Sequence, residues 1–173
     1  MLPAANPLAE QANRKIELIE SGRARPGSVV TITVAELNAF ALARAREVAP
    51  GGLRQAHLQL GSGTATADAM VDFVKLRHAA GVETNWLVAK LIQGEKHVLA
   101  SARIQSSGGR ATVHLTRAEI GGLAVSGATL DFLIQTFLLP IYPNAKIDEP
   151  FELAAGVDHV DVTPAGARVY MRK

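Results

Sequence analysis

The chain has no cysteine. That excludes disulfides and thiolate metal sites and says nothing about compartment. Aromatic residues make up only 5% of it, so the apolar content is mostly Ala, Val, Leu and Ile. Such a composition suits a smooth aliphatic interior better than a surface for stacking bases or sugars. Charge of one sign is also scarce. The formal net charge is +2, and no run of Lys and Arg is long enough for a nucleic-acid arm. The basic accents Arg23/Arg25, Arg44/Arg46 and Arg168/Arg172/Lys173 read as solvated faces or as weak attraction to anionic headgroups.

Catalytic signatures are missing as well. His57, His78, His97, His114 and His159 never stand at the spacing of a zinc-binding helix. No nucleophile elbow and no phosphate loop appears. Gly61-Ser62-Gly63 lacks the third glycine of a dinucleotide loop and stands in a hairpin context. The pairs Asp68/Asp72, Asp148/Glu149 and Asp158/Asp161 are acid–base candidates only if the fold brings them to one cleft. The sequence therefore predicts a protein that is not an enzyme, with no cofactor and no metal. No n-region, h-region and cleavage site stands at the start, and a signal or anchor removed earlier would leave no trace here.

What is present is 173 residues, 48% of them apolar, enough for one domain with a sizeable core. The most apolar stretch is Ser126–Ile141, SGATLDFLIQTFLLPI. Leu130, Leu133, Ile134, Phe137 and Leu138 recur at helical spacing, and Phe132, Leu139 and Ile141 widen the stripe. Asp131 and Gln135 form the polar ridge. A helix apolar over most of its circumference is buried, lines a cavity or touches lipid. At about 14 residues it is too short to span a bilayer, which takes roughly 20. Ser126 is its expected cap, and Pro140 and Pro143 end it.

The remaining elements are predicted in order. Pro7–Ser21 is a thin-striped surface helix capped by Asn6, which docks on the body or on a second copy; Arg23–Gly27 links it onward. Val29–Thr33 is a strand. Thr33 and Glu36 form a capping box for a helix running to about Val48. Leu53–Leu60 and Thr64–Val71 alternate around Gly61-Ser62-Gly63 as a hairpin. Ala65, Ala67, Ala69 and Val71 share one face, and their small side chains leave room for a helix or a ligand. Asp72–His78 continues as strand bending into loop, and Asn85–Gln93 is a short helix. His97–Gln105 and Arg110–Ile120 pair, with a bulge after Thr116, where the alternation slips. Ile147–Ala155 suits an edge, and Val157–Val162 with Ala167–Met171 closes the chain as a hairpin.

The runs VTITVAELNAFALA and LASARIQSSGGRATVHLTRAEIGGLAVSGATLDFLI resemble a class of bacterial envelope proteins. In that class an E-L-N helix, here Glu36-Leu37-Asn38, precedes a curved antiparallel meander. A second helix follows an I-G-G turn, here Ile120-Gly121-Gly122. The class is the tubular lipid-binding superfamily, typified by bactericidal/permeability-increasing protein, and the resemblance covers about Val29 to Arg172. It implies an α+β fold in which a strongly curved antiparallel sheet wraps one or two long apolar helices. It also implies a groove for acyl chains. Only one module fits in this length, so the groove is open or closed by homodimerisation.

The expectation is thus an N-terminal helix and linker, 1–27, followed by one lipid-binding-like domain, 28–173. Its partner is a lipid or apolar small molecule, with a membrane surface and a homodimer as further partners and no nucleic acid. The expected place is the periplasm or the outside of the membrane. The expected groove takes Leu37, Phe40 and Ala41 from the first long helix and Leu130, Leu133, Ile134 and Phe137 from the second. Ala67, Ala69 and Val98 form its floor. The rival reading is an assembly module that docks through its apolar helix or an edge strand.

Overall fold

The structure, a computed structural model, describes residues 6–48, 50–73, 75, 94–139 and 145–173, without the side chains of Val48, Phe137 and Leu138. The predicted short helix Asn85–Gln93 and most of the stretch Asp72–His78 lie outside the described residues, as do Pro140 and Pro143.

The fold is α+β with antiparallel sheets. Helix α1 is Pro7–Glu20, β1 is Val29–Thr33 and α2 is Val34–Val48. A meander follows, with β2 Leu53–Gly61, β3 Thr64–Asp72, β4 Glu95–Ser107, β5 Arg110–Ile120 and the two-residue β6 Leu123–Ala124. Helix α3, Gly127–Leu133, runs into a π-helical turn, Ile134–Leu138. Strands β7 Phe151–Glu152, β8 Val157–Thr163 and β9 Gly166–Met171 complete the chain. Strands β2 to β6 make a six-stranded sheet in chain order, with β7 on β5, and β1, β9 and β8 make a three-stranded sheet.

The first core lies where α1 and α2 cover the three-stranded sheet. Ala12, Ile19 and Ala24 from the first 27 residues are buried there with Ile32, Val157, Val169 and Met171. Gly166 lets β9 close on β1, since a Cβ there would stand 2.3 Å from the Ile32 carbonyl oxygen. A second core at the far end of the long sheet gathers Val71, Phe73, Ile120 and Leu133.

The capping box forms as the sequence predicts. The Thr33 amide donates to Glu36 Oε1 (3.1 Å), and the Glu36 amide donates to Thr33 Oγ1 (3.2 Å). Lys15 of α1 adds its ammonium to Glu36 Oε1 at 2.7 Å and to the Thr31 carbonyl at 2.8 Å. Glu36 is only 2% exposed, and its Oε2 is buried without a partner among the described residues. Burial pushes this carboxyl up. The Lys15 and Thr33 hydrogen bonds and the Lys15 charge outweigh burial and hold it below the usual carboxylate range.

Asn38, two residues on, serves β2. Its Nδ2 donates to the Leu58 carbonyl (2.9 Å) and its Oδ1 accepts from the Leu58 amide (2.6 Å). One side chain thus fills a ladder position on the sheet's edge strand. Just upstream, β2 slips register between Arg54 and His57, with Gln55 at φ 53°. The bulge expected after Thr116 is present: Ser101 pairs with Arg117 and Ala102 with Leu115, leaving Thr116 as the extra residue.

The two sheets meet at β8. The Gly63 amide donates to the Val162 carbonyl (2.9 Å) and the Gly109 amide to the Asp158 carbonyl (2.6 Å). Between them, Ser106 Oγ donates to the Val160 carbonyl and accepts from its amide, both at 2.8 Å. The outward backbone groups at 158, 160 and 162 are therefore taken by the turn end of the long sheet.

The last helix differs from its expected form. The α-helical part has 7 residues, and the π turn then widens the winding, which rotates the apolar stripe. Thr129, Asp131 and Phe132 are exposed, Leu130 and Ile134 half-buried, and Leu133 buried. Ser126 sits at the cap position without a side-chain cap bond. Asn6 does cap α1, accepting from the Leu8 amide at 2.9 Å.

Two outcomes are expected from these contacts. E36Q should cost about 1–3 kcal/mol in urea unfolding at pH 7. The folded carboxyl is lowered, so its contribution is whole above the ordinary value of about 4.3 and fades as pH falls through the lower folded value. The gap between wild type and E36Q should therefore narrow below about pH 4; a gap constant down to pH 3 would assign Glu36 to packing alone. N38A and S106A each strand a backbone amide and carbonyl and should each cost about 1–3 kcal/mol. Hydrogen exchange should quicken first at Leu58 in N38A and at Val160 in S106A.

Candidate functional site

Strand pairing assigns each side chain of the long sheet to one of its two faces. One face is polar. Asp68 on β3 lies opposite His57 on β2 and diagonal to His97 on β4, with Asp68 Oδ2 3.0 Å from His97 Nε2 and Oδ1 3.8 Å from His57 Nδ1. Both histidines are exposed and Asp68 is half-buried. Arg54 and Glu95 form a two-pronged ion pair at the end of this face. The Arg54 hydrogen bonds lower the Glu95 carboxyl. Among the described residues no cluster of three or more His, Asp or Glu is arranged to hold a metal ion. The three acidic pairs singled out in the sequence share no cleft: Asp148 and Glu149 line one, on which Asp68/Asp72 and Asp158/Asp161 do not border.

The opposite face is aliphatic. Pairing sets Leu58 beside Ala67 and Leu60 beside Ala65. It continues through Ala100 and Ala102 on β4 to Ala118 and Leu115 on β5. These residues belong to neither core. They are half-buried, except Ala67, which is exposed at the middle of the sheet. An apolar sheet face normally closes on a second layer. Here its two ends are packed and its middle is lined by methyl groups.

At its β5 edge the face runs into a cleft of about 320 Å³. Leu115 forms its floor, with Leu130 and Ile134 of the last helix, Leu139 and Ile147 as apolar walls. Asp131, Gln135, Lys146, Asp148 and Glu149 form a polar rim. Asp148 is held at φ 63°, with its amide on the Val113 carbonyl (2.8 Å) and its carboxylate 3.4 Å from His114. The cleft thus mixes aliphatic and charged side chains in about equal measure, which admits a ligand with an apolar tail and a polar head.

The ten residues expected to line one groove are distributed over several places. Leu37 and Phe40 pack on the first core, because α1 and the three-stranded sheet occupy that side of α2. Phe40 also borders a separate cleft of about 330 Å³ between α1 and α2. Ala41 is exposed on α2. Ala69 and Val98 pack on the second core and Leu133 is buried in it. Ala67 lies on the open middle of the sheet, while Leu130 and Ile134 line the β5 cleft. The Phe137 side chain lies outside the described residues. Sequence reasoning missed Leu115 and Ile147 as cleft residues. Leu115 alternates correctly in its strand, but nothing local places Ile147 opposite it.

Among the described residues no helix is long and apolar enough to cross a membrane. Comparison with known protein families and with characterised proteins returns no match to this chain.

Proposed function

We propose that the protein binds a lipid or another long apolar ligand, without catalysis, in the bacterial cell envelope. The observation that carries this reading is the aliphatic middle of the long sheet, assigned to neither core and continuous with the Leu115 cleft. The free part of the face runs across four strands, from Leu58 on β2 through Ala67 and Ala100 to Ala118 on β5, which at about 4.8 Å per spacing gives an apolar track of about 14 Å. That is about the hydrocarbon depth of one bilayer leaflet, half of the roughly 30 Å core. Alanines at Ala65, Ala67, Ala100 and Ala102 give a shallow trough into which methylene groups fit. Binding then comes from aliphatic burial at about 25 cal/mol per Å². The polar rim of Asp131, Lys146, Asp148 and Glu149 would face the headgroup end.

The finer architecture belongs to this proposal. The register slips at Gln55 and Thr116 add twist and bend to β2 and β5, which supports a strongly curved sheet partly enclosing the apolar helix Gly127–Leu138. That is the arrangement implied by the resemblance to the tubular lipid-binding superfamily. The rival assembly reading would cover the same trough with a second copy.

Native mass spectrometry of gently purified protein is expected to show a lipid adduct. Delipidated protein is expected to bind a fluorescent fatty acid. A67W fills the trough at an exposed strand position that accepts an aromatic, so it should cut fatty-acid affinity about tenfold or more with an unchanged melting temperature. Wild-type protein that binds neither fatty acid nor phospholipid would sink the proposal. A concentration-dependent dimer abolished by A67W in ligand-free protein would replace it with the assembly reading.

A further inference from the structure

The end of the long sheet away from β8 carries an unusual surface. From Gly121 to Leu130 the chain has no charged side chain, yet eight of these ten residues are exposed: Gly121–Ala124 and Ser126–Thr129. Leu123 is 66% exposed, the most exposed large apolar residue among those described, and Phe132, nine residues on, is 38% exposed. A single exposed leucine is ordinary; what sets this segment apart is ten consecutive residues without a charge, eight of them exposed.

The backbone there is already provided for. Gly121 and Gly122, at φ 59° and 83°, make the tight turn that joins β5 to β6. The Gly121 amide donates to the His97 carbonyl (2.8 Å) and the Val125 amide to the Ala118 carbonyl (2.9 Å). The tip can leave water without stranding these groups, which is the condition an apolar phase imposes. Among the described residues, Glu119 is paired with Arg117 and Glu95 with Arg54, while Lys96 lays its alkyl chain beside Gly121 and carries its ammonium at the margin of the tip. Asp131 stands on the helix beyond, toward the cleft.

We infer that this glycine-turn tip is a wedge that inserts into the interfacial layer of a lipid bilayer. Leu123 enters the acyl boundary, and Phe132 follows at its margin. A protein partner fits less well, because a stable protein interface takes about 800 Å² from each side. Leu123 beside a narrow turn and Phe132 on the helix after it supply a small part of that, whereas a bilayer surface accommodates a narrow wedge. With Glu119 and Glu95 paired, insertion rests chiefly on Leu123, so the affinity depends only weakly on salt, through Lys96. The purpose of the wedge, presenting the sheet trough to lipid, rests on the proposed function; its geometry does not.

Flotation with phosphatidylcholine vesicles, with and without phosphatidylglycerol, tests this directly. Wild-type protein is expected to float with both, and raising the salt from about 0.1 to about 0.5 M should leave most of it bound. L123S should lower partition about tenfold while leaving melting temperature and soluble fatty-acid binding unchanged. The chain has no cysteine, so L123C and S62C, at opposite ends of the sheet, can each carry one environment-sensitive dye. Vesicles should shift only the first dye's emission to the blue. Equal shifts at both ends, or L123S floating as wild type does, would overturn the wedge, as would wild-type protein that stays in solution. Vesicle binding with no soluble fatty-acid binding would remove the trough and keep the wedge.

Discussion

An edge strand leaves every second backbone amide and carbonyl facing outward, and where such an edge is covered each of those groups needs a partner. Strand β8 meets that demand with the long sheet. Gly63, Ser106 and Gly109 take up its groups at Val162, Val160 and Asp158, and this joint sets where the two sheets stand. It anchors one end of the meander, and the second core closes on the other. The packed first core, the aliphatic middle and the uncharged tip then follow one another along a single axis.

Asn38 does for β2 what Ser106 does for β8. Each supplies both a donor and an acceptor from one side chain, so each stands in for a missing neighbouring strand. The Glu36-Leu37-Asn38 string therefore divides three tasks. Glu36 ties α2 to β1 and α1, Leu37 packs on the first core, and Asn38 fastens α2 to the long sheet. A three-residue string on one helical turn can do this because successive side chains leave a helix about 100° apart. With α2 so engaged, Leu37 and Phe40 of its apolar stripe belong to the first core and not to the sheet face beside it.

Much of this was legible in local pattern. The capping box at Thr33, the turns at Ser62-Gly63 and Gly108-Gly109 and the closing hairpin all follow from short-range rules. The slip at Thr116 showed as a break in alternation and appears as a bulge. The alanine face was legible because period two assigns faces without knowledge of what lies opposite. The last helix was less so. Its composition predicted 14 helical residues, but the winding changes to π at Ile134, and Phe132, ahead of that change, faces solvent. The groove was misassembled for a related reason: Leu37 and Phe40 look like lining residues on any helical wheel, and only the position of α1 makes them core.

The sequence by itself determined the elements, the faces of the strands and the aliphatic, weakly charged character of the surface, because these depend on neighbours within a few residues. Tertiary structure decided which apolar residues were spent on packing and which were left over. It set Leu115 opposite Ile147, assigned Leu37 to one core and Leu133 to another, and left Ala67 open between them. Those outcomes depend on contacts between residues far apart in the chain, and hydrophobic burial, having no direction of its own, acquires one only when the backbone joints are in place.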